Sequence, residues 1–514
     1  MTLKYDIRLA STVARPIADS LYANIAIDLG AKLKRRDFPG IRETSFDPFD
    51  PVTAANPYPG YAELLAGPRV RYNRKQNIFI LSRFDDVRAA ARNDAVLTNS
   101  EGVTRSRVEI PVLLNLDPPR HTELRRKVQP AFSRGVLGGW QQMVDQLASE
   151  LISDLLANPG SDVVQRLAVP LPMRMIAHIL GVPPEDEEFF RYWSNEAVRV
   201  ANIQLTPKGL WQILPTLNGV RHLHSYFCSR IGSGELLGRD TLLGRLVATA
   251  GDGEISRDEL FYFALLLLLA GNETTTNLLS TMFLTLSQNP DQFELIRRDP
   301  DVLMSSAIEE QLRFASPIQG FYRTAKVDYR VGDATIPAGA RVALLWGAAN
   351  RDPRQFDNPD AFVAERNPSH VAFGSGIHLC LGASLARMES RAVLRELVER
   401  VGRIDIIGMP EWTTNSSLRG LAHMQVALVP LPCGPQPPAI ADPAARRREN
   451  ATARFAAPGP RRRPTNPRSS FLWEAAHRST RASRRLALSA ADRRSRRRDR
   501  QRRSRGNVHP REWG

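Results

Sequence analysis

The spacing of apolar positions changes character several times along the chain. Two short apolar runs, VRYN from Val70 and NIFILS from Asn77, flank a polar turn at Arg74 and Lys75 and predict a β-hairpin. From Asp85 onward the apolar residues recur at intervals of three and four. That spacing predicts helices near 85–93, 118–132, 138–157, 170–180, 185–200, 215–230, 239–250, 256–288, 290–298 and 300–315. Gly and Pro separate them, as in Asn158-Pro159-Gly160 and Gly181-Val182-Pro183-Pro184. Between Arg323 and Trp346 the period falls towards two, with turns signalled at Val331-Gly332-Asp333 and Pro337-Ala338-Gly339, so short strands are expected. A last helix from about Leu381 to Val401 precedes further short strands up to Pro430. Ahead of the hairpin, Phe46 to Gly60 (FDPFDPVTAANPYPG) reads as an ordered entry loop, and Ile17 to Leu33 as a short, weakly amphipathic helix. No internal repeat is visible. The expected class is mainly α with small β-sheets.

Composition narrows the class further. The chain has 514 residues, 42% of them hydrophobic, which is ample for a packed core. Its longest apolar stretch, Leu260 to Gly271, is well short of the roughly 20 residues of a membrane-spanning helix, and MTLKYDIRLASTVARP has no signal-peptide pattern. The three cysteines, Cys228, Cys380 and Cys433, are too few and scattered for a disulfide framework, which points to a reducing, cytoplasmic location. The formal charge of +16 belongs entirely to one end. From Cys433 onward lie 22 of the 70 basic residues, all Arg, and 6 of the 54 acids, so residues 1–432 hold 48 of each sign. The body is therefore neutral, and nucleic acid is not an expected partner. Composition also breaks at this point, which divides the chain into a lead segment (1–45), a body (46–432) and an Arg/Pro-rich tail (433–514) that reads as a disordered appendage.

The strongest chemical signal is FGSGIHLCLG, Phe373 to Gly382, directly before the last helix. A cysteine that binds a metal must be a thiolate, and amide donors at a helix N-terminus lower a thiol's pKa. Glycines at 374, 376 and 382 let the backbone approach the sulfur and a flat ligand closely. Cys228 and Cys433 have no such surroundings and read as small hydrophobes. The segment resembles the haem-binding loop of the cytochrome P-450 superfamily, F-G-x-G-x-[HR]-x-C-x-G, at every fixed position. The resemblance implies the mainly helical P-450 fold, with haem b between two central helices and Cys380 as the metal ligand. Phe373, Gly374, His378 and Gly382 would be further cofactor-binding positions.

Further motifs stand where the resemblance predicts them. Glu310-Gln311-Leu312-Arg313 matches the family's Glu-x-x-Arg pair at helical spacing, and Arg366 is the arginine that would complete a buried structural network. The run Ala270-Gly271-Asn272-Glu273-Thr274 matches the family's central-helix motif. It implies small residues at 270 and 271 beside the porphyrin, Thr274 as a hydrogen-bonding group on the oxygen side, and Glu273 as the acid that relays protons towards it. A Thr hydroxyl there can bond back to the carbonyl four residues earlier. Thr275 and Thr276 read as structural. His121 and Arg125 in DPPRHTELRR, Arg323 in GFYRTA and His378 would hold the haem carboxylates, with His370 as an additional candidate.

The function implied is a monooxygenase that inserts one atom of O2 into a lipophilic molecule. Pocket segments placed by the resemblance contribute Val103, Ile110, Val112, Leu113, Ile203, Leu205, Leu267, Ile318, Phe321 and Leu418, which are apolar. Arg105, Arg107 and Gln319 are the candidates for a polar anchor. Electrons would come from a separate ferredoxin and ferredoxin reductase, drawn to a basic patch at Arg120, Arg126 and Lys127. The rival readings are isomerisation, coupling or peroxide-driven oxidation on the same fold, a haem protein that binds ligand without turnover, and an RNA-binding protein acting through the basic tail. The adjacent Glu273 and Thr274 favour O2 activation over the first, turnover separates the second, and deletion of 433–514 the third.

Overall fold

The computed structural model describes residues 37–198, 207–236, 241–250 and 255–432. The chain divides into two units after Cys433, and all described residues belong to the first. The Ile17–Leu33 segment, the pocket candidates Ile203 and Leu205, and the basic tail lie outside the described residues, so none of these expectations is addressed by the structure.

Eleven strands lie among the described residues: β1 (Arg42–Glu43), β2 (Val70–Asn73), β3 (Ile78–Leu81), β4 (Leu97–Thr98), β5 (Ser161–Asp162), β6 (Phe321–Ala325), β7 (Tyr329–Val331), β8 (Ala334–Ile336), β9 (Arg341–Leu344), β10 (Val401–Trp412) and β11 (Leu421–Pro430). The hairpin expected at Val70 is β2–β3, antiparallel with Val70 opposite Leu81. It belongs to a six-stranded sheet of order β1-β2-β3-β9-β6-β4, in which β1/β2 and β3/β9 run parallel. The long β10–β11 hairpin takes β5 as its third strand, and β7–β8 stands alone as a pair.

Six helices position the site and are numbered in chain order: α1 (Phe84–Ala91), α2 (Arg120–Val128), α3 (Pro170–Leu180), α4 (Arg257–Gln288), α5 (Pro300–Ala315) and α6 (Ala383–Arg400). Helix α4 has 32 residues and is about 48 Å long at 1.5 Å per residue. Its start is a capping box: Ser256 Oγ accepts the Glu259 N–H while the Glu259 carboxylate accepts the Ser256 N–H. Its apolar residues face all round, and Leu260, Phe261, Leu268, Leu279 and Phe283 are buried in one large core with α3, α5 and α6. The hydroxyls of Thr281 and Thr285 are buried, each donating to the carbonyl four residues back, which is how polar side chains survive inside this helix.

Two expectations need correction. Phe46 to Gly60 is not a loop throughout: it contains the helix Pro51–Ala55 and the start of the helix Tyr58–Ala66. The signals were local, since Asp50 accepts the Thr53 N–H as an N-cap and Pro51 supplies the fixed φ of a first helical position. The folded body also starts before Phe46. Arg42 and Glu43 pair with Arg71 and Tyr72, and the Phe38 ring packs edge-on against Tyr72 and Phe79 at about 5 Å.

Candidate active site

The Phe373–Gly382 segment forms a tight loop before α6 rather than the helix start expected at Leu381. A single 3-10 turn, Gly376–His378, comes first and α6 begins only at Ala383. Gly374 and Gly376 both have positive φ, 75° and 78°, where a side chain is strained. A Cβ on Gly376 would also come 2.8 Å from the Ala91 carbonyl, because the loop lies against the end of α1. Arg92 Nε fastens it there by donating to Ser375 Oγ at 2.9 Å. The Cys380 N–H donates to the Phe373 carbonyl at 3.0 Å, which closes the loop on itself.

Cys380 is exposed, yet protein surrounds it closely enough that burial is the largest influence on its thiol. A group that is both enclosed and open stands at the wall of a cavity. Burial pushes its pKa up, against the Gly382 N–H and the positive charges of Arg125 and Arg387, which pull it down. A metal ion held at this sulfur would favour the thiolate further.

Around this loop lie basic groups that, among the described residues, form no ion pair with an acid. His121, on α2, is 1% exposed and neither ring nitrogen has a partner. His378 Nε2 is likewise buried and unpaired, and the two rings are 4.3 Å apart. Arg323, at 4% exposure, makes one hydrogen bond, to the Tyr322 carbonyl. Arg125 donates to the Leu379 carbonyl at 2.6 Å. Burial and the Arg323 charge push the His378 pKa down to about 2, burial and Arg125 lower that of His121, and burial brings Arg323 to about 10. Arg323 is thus a buried cation with no acid bonded to it, beside two imidazoles with buried, free nitrogens, and such a cluster fits an anionic ligand that accepts hydrogen bonds. The two carboxylates of protoporphyrin IX haem meet that requirement, and the open cysteine sulfur meets that of its iron. His370 does not join this set. Its Nε2 lies 3.1 Å from Glu309, and its Nδ1 accepts the Ala372 N–H.

The middle of α4 supplies the second wall. Ala270 is exposed, and Leu266, Leu267, Glu273 and Thr274 are half-buried, in a helix otherwise packed on its flanks. Thr274 Oγ1 donates to the Ala270 carbonyl at 2.6 Å, the back-bond anticipated from sequence. A Cβ on Gly271 would come 2.7 Å from Cδ1 of Ile176 on α3, so a side chain there would have to displace that methyl. Thr276 donates to the Ala168 carbonyl at 2.9 Å and is structural. Glu273 receives a 3.5 Å contact from Asn415 Nδ2, on the β10–β11 loop. Nothing local in the sequence marks Asn415 for that place, because its approach depends on how the hairpin folds over α4.

Glu310, Arg313 and Arg366 come together. Glu310 and Arg313 are fully buried and bonded twice, at 2.7 and 2.8 Å, and Arg366 Nε reaches Glu310 at 3.1 Å. Arg313 also donates to the carbonyls of Asn350, Pro359 and Ala361. One carboxylate thus organises two guanidiniums that in turn tie down the irregular segment leading to the cysteine loop. The expected polar anchors are otherwise engaged: Arg107 pairs with Glu101, Arg105 donates to the Gln76 carbonyl, and Gln319 accepts from the Tyr61 hydroxyl. The pocket segments meet where Ile318 bridges to Leu418. In the basic patch Arg126 is exposed, while Arg120 pairs with Glu123 and Glu259, the latter being the residue that caps α4.

Among the described residues no helix is long and apolar enough to cross a membrane, and no cluster of His, Cys, Asp and Glu could hold a metal by itself. Comparison with known proteins places these features. A family model described as cytochrome P450 matches residues 238–401. The beta-dihydromenaquinone-9 omega-hydroxylase of Mycobacterium tuberculosis is 50% identical over 427 residues, 83% of this chain and 87% of that protein. Cytochrome P450 107B1 of Saccharopolyspora erythraea is 32% identical, covering 74% and 96%. Among solved structures, that of CYP109E1 from Bacillus megaterium in complex with testosterone superimposes with a TM-score of 0.66 at 30% identity, covering 73% of this chain and 99% of that one.

Proposed function

The chain belongs to the cytochrome P450 family, and from that premise we propose that it hydroxylates the far end of a long lipophilic molecule of the menaquinone class. It is a P450 monooxygenase with protoporphyrin IX haem as cofactor. The observation that carries the site reading is the open Cys380 sulfur beside the unmatched basic groups His121, Arg323 and His378. Cys380 would ligate the iron, with His121, Arg125, Arg323 and His378 on the haem carboxylates. When bound, the haem supplies the redox chemistry that places one oxygen atom of O2 in the substrate and the other in water.

The residues of the chain do the rest. Thr274 donates its own proton to the Ala270 carbonyl, so its oxygen keeps lone pairs with which to accept a hydrogen bond. Glu273, adjacent and half-buried, is the acid that exchanges protons between that cavity and the surface. Leu266, Leu267, Ile318 and Leu418 belong to the segments expected to line the pocket, and an apolar lining of this kind would exclude water and hold a hydrocarbon chain.

The substrate class rests on the 50% identity with the menaquinone hydroxylase and on this apolar lining. Electrons come from a redox partner, for which a ferredoxin and its reductase are proposed. Leu379, 47% exposed next to Cys380, and Arg126 give the cysteine side an apolar spot beside positive charge, which suits an acidic carrier. A cytoplasmic location rests on the scarcity of cysteines. Titrating purified holoprotein with a menaquinone and, separately, with testosterone tests the substrate class. A low-to-high-spin shift with the quinone and a product heavier by one oxygen at the chain end are expected. A shift with testosterone alone would overturn the proposal.

A further inference from the structure

Behind the cysteine loop lies a charged pair that neither the haem motifs nor the proton path uses. Arg387, seven residues past Cys380 on α6, grips the Glu309 carboxylate of α5 with two parallel bonds, Nε at 2.6 Å and Nη2 at 2.7 Å. The same guanidinium lies 4.6 Å from the centre of the Phe373 ring. Phe373 is the residue whose carbonyl accepts the Cys380 N–H. His370 completes the group: its Nδ1 accepts the Ala372 N–H, so the ring proton sits on Nε2 and is donated to Glu309. Burial pushes the Glu309 carboxyl up, but Arg387 and His370 outweigh it and hold it at about 2, so the carboxylate is permanently charged.

We propose that Arg387 is a positioning residue for the Cys380 thiolate, and that its charge, partly offset by Glu309, sets how much electron density the sulfur gives to the iron. The proposal rests on Cys380 being the haem ligand. The stack on Phe373 orients the loop that carries the sulfur, and it sets the guanidinium on the residue whose carbonyl holds the Cys380 amide, so the positive charge stands one residue contact from the ligand. A cation beside a thiolate favours the more negative, reduced state of the centre, and an anion beside that cation weakens the effect. The two members of one ion pair should therefore act on the centre in opposite directions.

Redox titration of the holoprotein, with the ferrous-carbonyl spectrum recorded alongside, tests this. R387M should shift the midpoint potential to more negative values and E309Q to more positive values. R387K, which keeps the charge but loses the fork and much of the stack, should stay near the parent potential and melt earlier. A purely structural pair predicts something else: both neutralising variants would loosen the loop alike. Shifts of the same sign, or no shift in either, with the thiolate-type carbonyl band intact, overturn the proposal. If R387M fails to retain haem, E309Q decides alone, since only a positive shift supports the idea. Absence of the thiolate band in the parent protein would instead overturn the ligand assignment.

Discussion

A few single residues carry the chemistry, and each has a distinct signature of failure. Cys380→Ala removes the sulfur and should abolish the thiolate-type Soret band of the ferrous carbonyl form, read directly by difference spectroscopy. Thr274→Ala should leave haem content unchanged while hydrogen peroxide rises. The rate of product formation should fall by about 10²–10⁴, the range that a positioned proton-transfer group contributes. Unchanged coupling would remove Thr274 and its neighbour Glu273 from the proton path. Gly376 matters through backbone alone. Its φ of 78° and a would-be Cβ at 2.8 Å from the Ala91 carbonyl make Gly376→Ala a change that must push the loop off α1. Left-handed backbone costs about 1–2 kcal/mol before any clash is counted, so weaker haem retention and a lower melting temperature are expected.

Between elements, charge does the fastening, and burial decides how much each ion pair matters. The Glu310–Arg313–Arg366 group joins α5 to the segment before the cysteine loop, with Glu310 and Arg313 wholly shielded from water. Glu310→Gln leaves two guanidiniums facing each other without an anion. Breaking a buried pair from one side costs about 3–5 kcal/mol, enough to be seen as loss of folded, haem-loaded protein on expression. The exposed pair His423–Asp162, at 2.7 Å between β11 and β5, behaves differently. Its hydrogen bond to Asp162 raises the His423 pKa above the ordinary 6.5. A raised histidine stabilises the fold fully below the unfolded value and loses that contribution as pH climbs through the raised folded value. The melting-temperature gap between parent and His423→Gln should therefore be widest below pH about 6 and close at higher pH; a gap independent of pH would show that packing, not protonation, is responsible.

For the molecule as a whole, the division at Cys433 separates charge from chemistry. All sixteen units of net positive charge lie beyond residue 432, while every site residue lies before it. Truncation after Pro432 should leave the carbonyl spectrum and melting temperature as they are and abolish retention on a polyanionic column at low salt, because the remaining body is neutral. Loss of haem on truncation would mean that the tail belongs to the folded unit.

The sequence by itself determined the helical course of the chain, the β2–β3 hairpin and the residues of the cysteine loop, because each depends on neighbours a few positions away. It also identified Glu310, Arg313 and Arg366, though only through a resemblance that carries long-range knowledge. Only the tertiary structure decided which partners distant side chains meet. Two-residue strands such as β1 and β4 carry no period of their own and exist because a neighbouring strand offers hydrogen bonds. Gly271 lies against Ile176, His370 bonds to Glu309, and Arg387 lies on Phe373, all contacts set by how helices cross and loops close. Local propensity has no access to such meetings, since their energy comes from atoms far apart in the chain and brought together only by burial of the common core.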